Sequence, residues 1–235
     1  SHDLVAKGAD LLVWPESSYA WAIPETVKNI RPIVTGPLHT PLLFGAISRR
    51  QGNSLPRVYN TAFIADATGA IQGSYDKTFL LAFGEYLPFG KLFPILYEWS
   101  PNSGHFSQGS HVNALPLGPW RIGTLICYED ILPSFVRKLV THSNPHFLVN
   151  ITNDAWFGDT TEPWEHLALA KLRSIEHRRF LVRATNSGVS AIIDPVGRLL
   201  AHTQVFRQQT LHGEIAMLQG TSIYAVLGDW PGWLA

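Results

Sequence analysis

Short apolar runs bounded by turn residues recur along the chain, and one longer stretch carries a helical period. Ala9 to Val13 reads as a buried strand that runs straight into Trp14-Pro-Glu-Ser-Ser18, and Leu4 to Ala9 before it reads as a helix end stopped at Gly8. Leu42 to Ser48 is a second buried strand and Val58 to Ala65 a third. Asp66-Ala-Thr-Gly69 is a tight turn from which Ile71 to Lys77 pairs back as a hairpin. Arg121 to Ile126 is a strand, Leu132 to Val140 a short helix, and Phe147 to Thr152 a further buried strand. Pro163 to Arg179 has the clearest helical period, with Leu167, Ala170, Leu172 and Ile175 on its apolar side. Phe180 to Asn186, Gly188 to Asp194, Leu199 to Thr203 and Thr210 to Ile215 read as four more strands, with Pro195-Val-Gly197 as a turn. Strands that pair both in parallel and as hairpins, with helices between some of them, predict an α/β fold.

Phe79 to Trp99 breaks this rhythm. It is apolar and aromatic, yet Gly84, Pro88, Gly90 and Pro94 interrupt it, which argues for a loop or arm over one long helix. Such an arm serves as a lid, as a membrane-facing surface, or as a loop folded onto the core. Ser100 to Gly109 after it is a polar connection.

At 235 residues one large domain is expected, residues 1–235, with no repeat, low-complexity tract or linker. The 18 basic and 18 acidic residues cancel, and no basic stripe suggests nucleic acid as a partner. One cysteine makes no internal disulfide, so cysteine usage is silent on compartment. Ser1-His-Asp lacks a basic segment followed by an apolar run, so no secretory signal is expected there. No apolar run reaches the roughly 18 residues of a membrane span. A strand so near the first residue suggests that an earlier strand and most of a helix lie upstream.

Candidate chemistry sits at strand ends. Cys127, in Gly123-Thr-Leu-Ile-Cys-Tyr-Glu-Asp130, follows an apolar strand and precedes acidic residues and Pro133, as at a turn into a helix. A thiol there lies beside free backbone N–H groups that favour a thiolate. It reads equally as a small buried hydrophobe. Glu16 and Lys77 also lie at or just past strand ends; each alone reads as a cap or a solvated charge. Together the three are complementary. A buried carboxylate serves as base for the thiol, and an ammonium stabilises a tetrahedral oxyanion with help from a backbone N–H. The ten His form no metal pattern, and His166 and His177 read as polar-face residues of the long helix. No metal or cofactor is expected.

Glu, Lys and Cys in this order, within Trp14-Pro-Glu, Tyr75-Asp-Lys and Ile126-Cys-Tyr-Glu, resemble the nitrilase, or carbon–nitrogen hydrolase, superfamily. Fuller motifs resemble its apolipoprotein N-acyltransferase family: Trp14-Pro-Glu-Ser-Ser18, Tyr75 to Pro88, Asn153-Asp-Ala-Trp-Phe-Gly158, Arg183-Ala-Thr-Asn-Ser-Gly188 and the closing Gly228-Asp-Trp-Pro-Gly-Trp233. The resemblance implies a four-layer αββα sandwich, here without its first strand and the membrane helices on either side, so truncated at both ends. It implies Glu16 as general base, Lys77 as oxyanion stabiliser and Cys127 as nucleophile. Glu85, Tyr128 and Glu129 match supporting active-site positions, and Trp156 and Asn153 match a substrate-binding segment. The activity implied is transfer of a fatty acyl chain from a phospholipid, through a Cys thioester, to the N-terminal amine of a diacylglyceryl-modified lipoprotein. The catalytic domain would act at the membrane surface, on the periplasmic side of a bacterial inner membrane. The alternatives are a soluble amidase hydrolysing a C–N bond and an inactive lipid- or lipoprotein-binding domain.

Overall fold

The computed structural model describes every residue except 53–55, 91, 94, 101, 102, 231–235 and the side chain of residue 157. The chain runs α1 (His2–Ala6), β1 (Leu12–Val13), β2 (Tyr19–Pro24), β3 (Leu42–Arg50), β4 (Arg57–Ala65), β5 (Ile71–Asp76), α2 (Ile95–Trp99), β6 (Leu115–Leu117) and β7 (Trp120–Ile126). It continues through α3 (Pro133–Ser143), β8 (Phe147–Thr152), α4 (Glu162–His177), β9 (Leu181–Thr185), β10 (Ala191–Ile193), β11 (Leu199–His202) and α5 (Ile223–Leu227). A π-helical turn covers Arg31–Thr35, and 3-10 turns cover Cys127–Ile131 and Asp154–Phe157.

Two mixed sheets stack face to face. In the first, β1 and β2 follow one another along the same edge of β3, both parallel to it, and β4 and β5 extend the other side antiparallel. In the second, the order is β11-β10-β9-β8-β7-β6, with β7, β8 and β9 parallel. Residues of β8 alternate as a strand buried on both faces must. Phe147, Val149 and Ile151 point at the first sheet, where they meet Leu43, Ala62, Ile64 and Tyr75. Leu148 points the other way, to Val136, Leu139, Leu167 and Ala170 on α3 and α4. The far face of the first sheet is covered by Leu4 and Val5 of α1 and by Ile30 and Val34. The fold is therefore an α/β sandwich of four layers, thin on the side of α1.

Several expectations need correction. Thr210–Ile215 is not a strand, although Ile215 packs against the core between the sheets. The strand expected over Ala9–Val13 keeps only its last two residues. Residues 19–24 form a strand that sequence reading left out; its alternation is weak because Trp21 points to solvent. Leu172 and Ile175 are exposed, while His166 and His177 are buried, so the inward face of α4 is rotated from the expected one. The reason is what it packs on: α4 crosses the polar turn after Cys127 as well as the apolar sheet. The closing motif falls partly outside the described residues. No helix among the described residues is long and apolar enough to cross a membrane.

Candidate active site

The strands β1, β5, β7 and β8 end at the same region between the sheets, and each delivers one part of the site. The carboxyl ends of parallel strands are where α/β sheets gather ligand-binding groups. After β1 the chain leaves the edge of β3, and Pro15–Ser17 presses onto Gly45, where an added Cβ would lie 2.6 Å from Glu16 Cα. Gly45 N–H donates to Pro15 O at 3.2 Å and Ser18 Oγ donates to Gly45 O at 3.2 Å, so the turn is stitched down with Glu16 facing inward. The Glu16 carboxylate is buried. Its Oε1 accepts from Asn60 Nδ2 at 2.6 Å and its Oε2 from Asn153 N–H at 2.9 Å. Burial pushes its pKa up, against Lys77 and the two hydrogen bonds.

Lys77 follows β5 and is buried. Its Nζ lies 2.9 Å from each oxygen of Glu85 and 3.9 Å from Glu16. Burial works against its charge, but Cys127, Glu16 and Glu85 outweigh that and hold it above the ordinary lysine range. Glu85 also accepts from Leu81 N–H at 2.9 Å and Asn60 Nδ2 at 3.0 Å. Asn60 thus bridges the two carboxylates.

Cys127 ends β7 in the left-handed region, φ 54°. Its thiol is pushed up to about 12, by burial first and by Glu16 next; Lys77, Thr152 and the Tyr128 N–H act the other way. At neutral pH the resting group is a thiol, and a base must take its proton during attack. The Tyr128 ring stacks on His166 and its hydroxyl donates to Glu162.

Glu129 lies behind this site. It is fully buried and accepts from Ile126 N–H, Thr78 N–H, Phe79 N–H and Tyr75 OH, tying the Cys127 turn to the chain just after Lys77. Asn153 contributes its backbone N–H, while its side chain caps the following turn through Ala155 N–H at 3.1 Å. Trp156 on that turn is 81% exposed. Thr78 and Phe79, directly after Lys77, open into a cavity of about 680 Å³ walled by Leu80, Leu87, Phe89 and Leu92 of the arm. Phe83, Phe89 and Trp99 of that arm face solvent.

Sequence reading missed Asn60, Asp130 and His166 as members of this region. A signal existed for Asn60, a polar residue in the apolar strand Val58 to Ala65. For the other two the fold alone brings them near.

The two stacked sheets thus bring Glu16, Lys77, Glu85 and Cys127 to one region of an α/β sandwich. The chain belongs to the carbon–nitrogen hydrolase family, whose model matches residues 2–223. It is 37% identical over 228 residues to the apolipoprotein N-acyltransferase of Geobacter metallireducens, covering 96% of this chain and 43% of that protein. It is 35% identical over 235 residues to the apolipoprotein N-acyltransferase of Azotobacter vinelandii, covering 96% of this chain and 44% of that one. The chain thus spans less than half the length of these relatives. Among solved structures it resembles an amidase from Nesterenkonia sp. AN1 with acetamide covalently attached at its active-site cysteine: TM-score 0.59, 20% identity, 86% of this chain and 76% of that one. That likeness concerns the fold.

Proposed function

We propose that the chain is the catalytic part of a lipoprotein N-acyltransferase, working through a thioester on Cys127. Glu16 takes the Sγ proton as Cys127 attacks the carbonyl of a phospholipid ester, and Lys77 Nζ and the Tyr128 N–H donate to the oxyanion. Collapse breaks the ester C–O bond, and the leaving lysophospholipid oxygen takes the proton from Glu16. The N-terminal amine of a diacylglyceryl-cysteine lipoprotein then attacks the thioester. Glu16 accepts the amine proton and returns it to the thiolate. Glu85 keeps Lys77 charged and in place, and Trp156 and Asn153 line the substrate side.

One observation carries this reading. The buried Lys77 lies within ion-pair reach of two carboxylates and is followed directly by an apolar cavity large enough for an acyl chain. The names of the relatives support acyl transfer to nitrogen of a lipoprotein acceptor. The exposed aromatic side chains of the arm support a site at a membrane surface; that this is the periplasmic side of an inner membrane is part of the proposal.

The test is intact mass after incubation with phospholipid in detergent. A gain of one acyl chain, absent in Cys127→Ala, is expected. A reactive thiol that gains no acyl chain would sink the phospholipid reading. The fold shared with an amidase supports a second reading, hydrolysis of a small amide. Ammonia release from such an amide, without acyl-enzyme from phospholipid, would select it.

A further inference from the structure

A second charged cluster lies behind the nucleophile, and the acyl-transfer scheme makes no use of it. Asp130 sits in the turn after Cys127, Asp154 in the turn after β8, His166 on α4 and Arg183 on β9, all essentially without solvent contact. His166 Nε2 is 2.8 Å from Asp130 Oδ1, and its Nδ1 is 3.3 Å from Asp154 Oδ1. Arg183 donates to Asp130 Oδ2 at 2.7 Å, Asn150 Oδ1 at 2.7 Å and Asp154 Oδ2 at 3.1 Å. Both imidazole nitrogens face carboxylate acceptors, which only a doubly protonated ring satisfies. The imidazolium also brings the cluster of two carboxylates and Arg183 to zero net charge. Burial opposes that charge, but Asp130 and Asp154 outweigh it. Gly188 has no side chain for a reason: a Cβ there would collide with the Asp154 carboxylate.

Two links run from this cluster to the reacting centre. Asn150, held by Arg183, donates through Nδ2 to the Cys127 carbonyl at 3.0 Å. The Tyr128 ring lies nearly flat on His166, 4.6 Å away at 23°. The Cys127 carbonyl and the Tyr128 N–H belong to one planar peptide group, so aiming the first aims the second in the opposite direction. That peptide follows a non-glycine residue in the left-handed region, φ 54°, a conformation that L side chains rarely adopt.

We propose that His166 is a positioning residue: through Tyr128, and together with Arg183 acting through Asn150, it holds the Cys127–Tyr128 peptide with its N–H directed at the developing oxyanion. The role rests on the reading of Cys127 as nucleophile and of the Tyr128 N–H as oxyanion donor. It does not depend on which acyl donor is natural.

Two reactions of the full chain separate aim from integrity. Release of p-nitrophenolate from p-nitrophenyl butyrate in the first turnover reports acylation of Cys127, which uses the oxyanion donor. Alkylation by iodoacetamide reports the thiol and its base, and needs no oxyanion donor. His166→Gln should slow acylation roughly 10- to 100-fold with KM nearly unchanged, while alkylation stays within about twofold. Tyr128→Leu, at a half-buried position, tests the same link without opening the cluster and should give a similar loss. Tyr128→Phe, which keeps the stack, should recover most of it. The double variant His166→Gln/Tyr128→Leu should be no slower than the worse single one, because the two act as a unit. Parallel loss of acylation and alkylation, losses that multiply, or no loss at all would each overturn the proposal. Release of p-nitrophenolate by Cys127→Ala as fast as by the unsubstituted chain would instead sink the nucleophile assignment itself.

Discussion

Lys77 Nζ lies 2.9 Å from both carboxylate oxygens of Glu85 and a full ångström further from Glu16, at 3.9 Å. The ammonium is thus committed to Glu85. Glu16 keeps its hydrogen bonds from Asn60 and Asn153 and remains the carboxylate able to take a proton. Breaking a buried pair by removing one partner leaves an uncompensated charge, which seeks the nearest alternative.

Glu85→Gln should therefore draw Lys77 toward Glu16. Glu16 would lose the repulsion from Glu85 and gain a closer cation, so its pKa falls and it becomes a weaker base. Acylation of Cys127 should drop on the order of 10²-fold, and the acid limb of its pH profile should move to lower pH. A limb that stays in place would count against the arrangement.

Asn60→Ala acts on Glu16 with the opposite sign. Its hydrogen bond holds the Glu16 pKa down, so without it the carboxyl keeps its proton to higher pH. The acid limb should move up, and first-turnover rates measured from pH 4 to pH 9 would reveal the direction.

Glu16 also makes stability depend on pH. Its folded-state pKa is raised above that of the unfolded chain, so the native state binds the extra proton. Stability is then lost as pH rises from the ordinary carboxyl range through the raised value. Glu16→Gln has no proton to lose. The difference in melting temperature, variant minus parent, should grow from pH 4 toward pH 8; a flat or falling difference would contradict the raised pKa.

Cys127→Gly and Cys127→Ala should both abolish acylation, but they should differ in stability. At φ 54° glycine is unstrained and alanine is not, so the Gly variant should be the more stable by about 1 kcal/mol in denaturant titrations. In an ordinary strand the order would be reversed.

Gly45→Ala should disable the site without touching a reacting residue. The new Cβ would meet backbone atoms of Pro15, Glu16 and Ser17, which cannot swing aside as a flexible side chain would. A loss of about 1–3 kcal/mol in stability is expected, and acylation should fall at least about tenfold as Glu16 shifts. Equal activity and stability to the parent would refute the close packing of this turn on β3.

The buried strand β8, the hairpin of β4 and β5 around Asp66–Gly69, and the helical span of α4 were all legible in the sequence, because each depends on local apolar runs, period and turn chemistry. So was the placement of Glu16, Lys77 and Cys127 at strand ends. Local pattern misjudged β2 and residues 210–215, where the decision between strand and coil rests on an available edge. It also misjudged the face of α4. His166 looks like a surface residue by composition, and only the carboxylates of Asp130 and Asp154, contributed by other elements, make room for it inside.

What the sequence by itself determined is the class of fold, the buried strands and long helix that carry their own period, and the chemical types at the ends of its strands. Only the tertiary structure decided that Asn60 bridges Glu16 and Glu85, that Lys77 pairs with Glu85 rather than Glu16, and that Asp130, Asp154, His166 and Arg183 close into one cluster. Those contacts join residues far apart in the chain. Period and propensity act over a few neighbouring positions, whereas a buried charge finds its partner only when the sheets have stacked and water has been excluded.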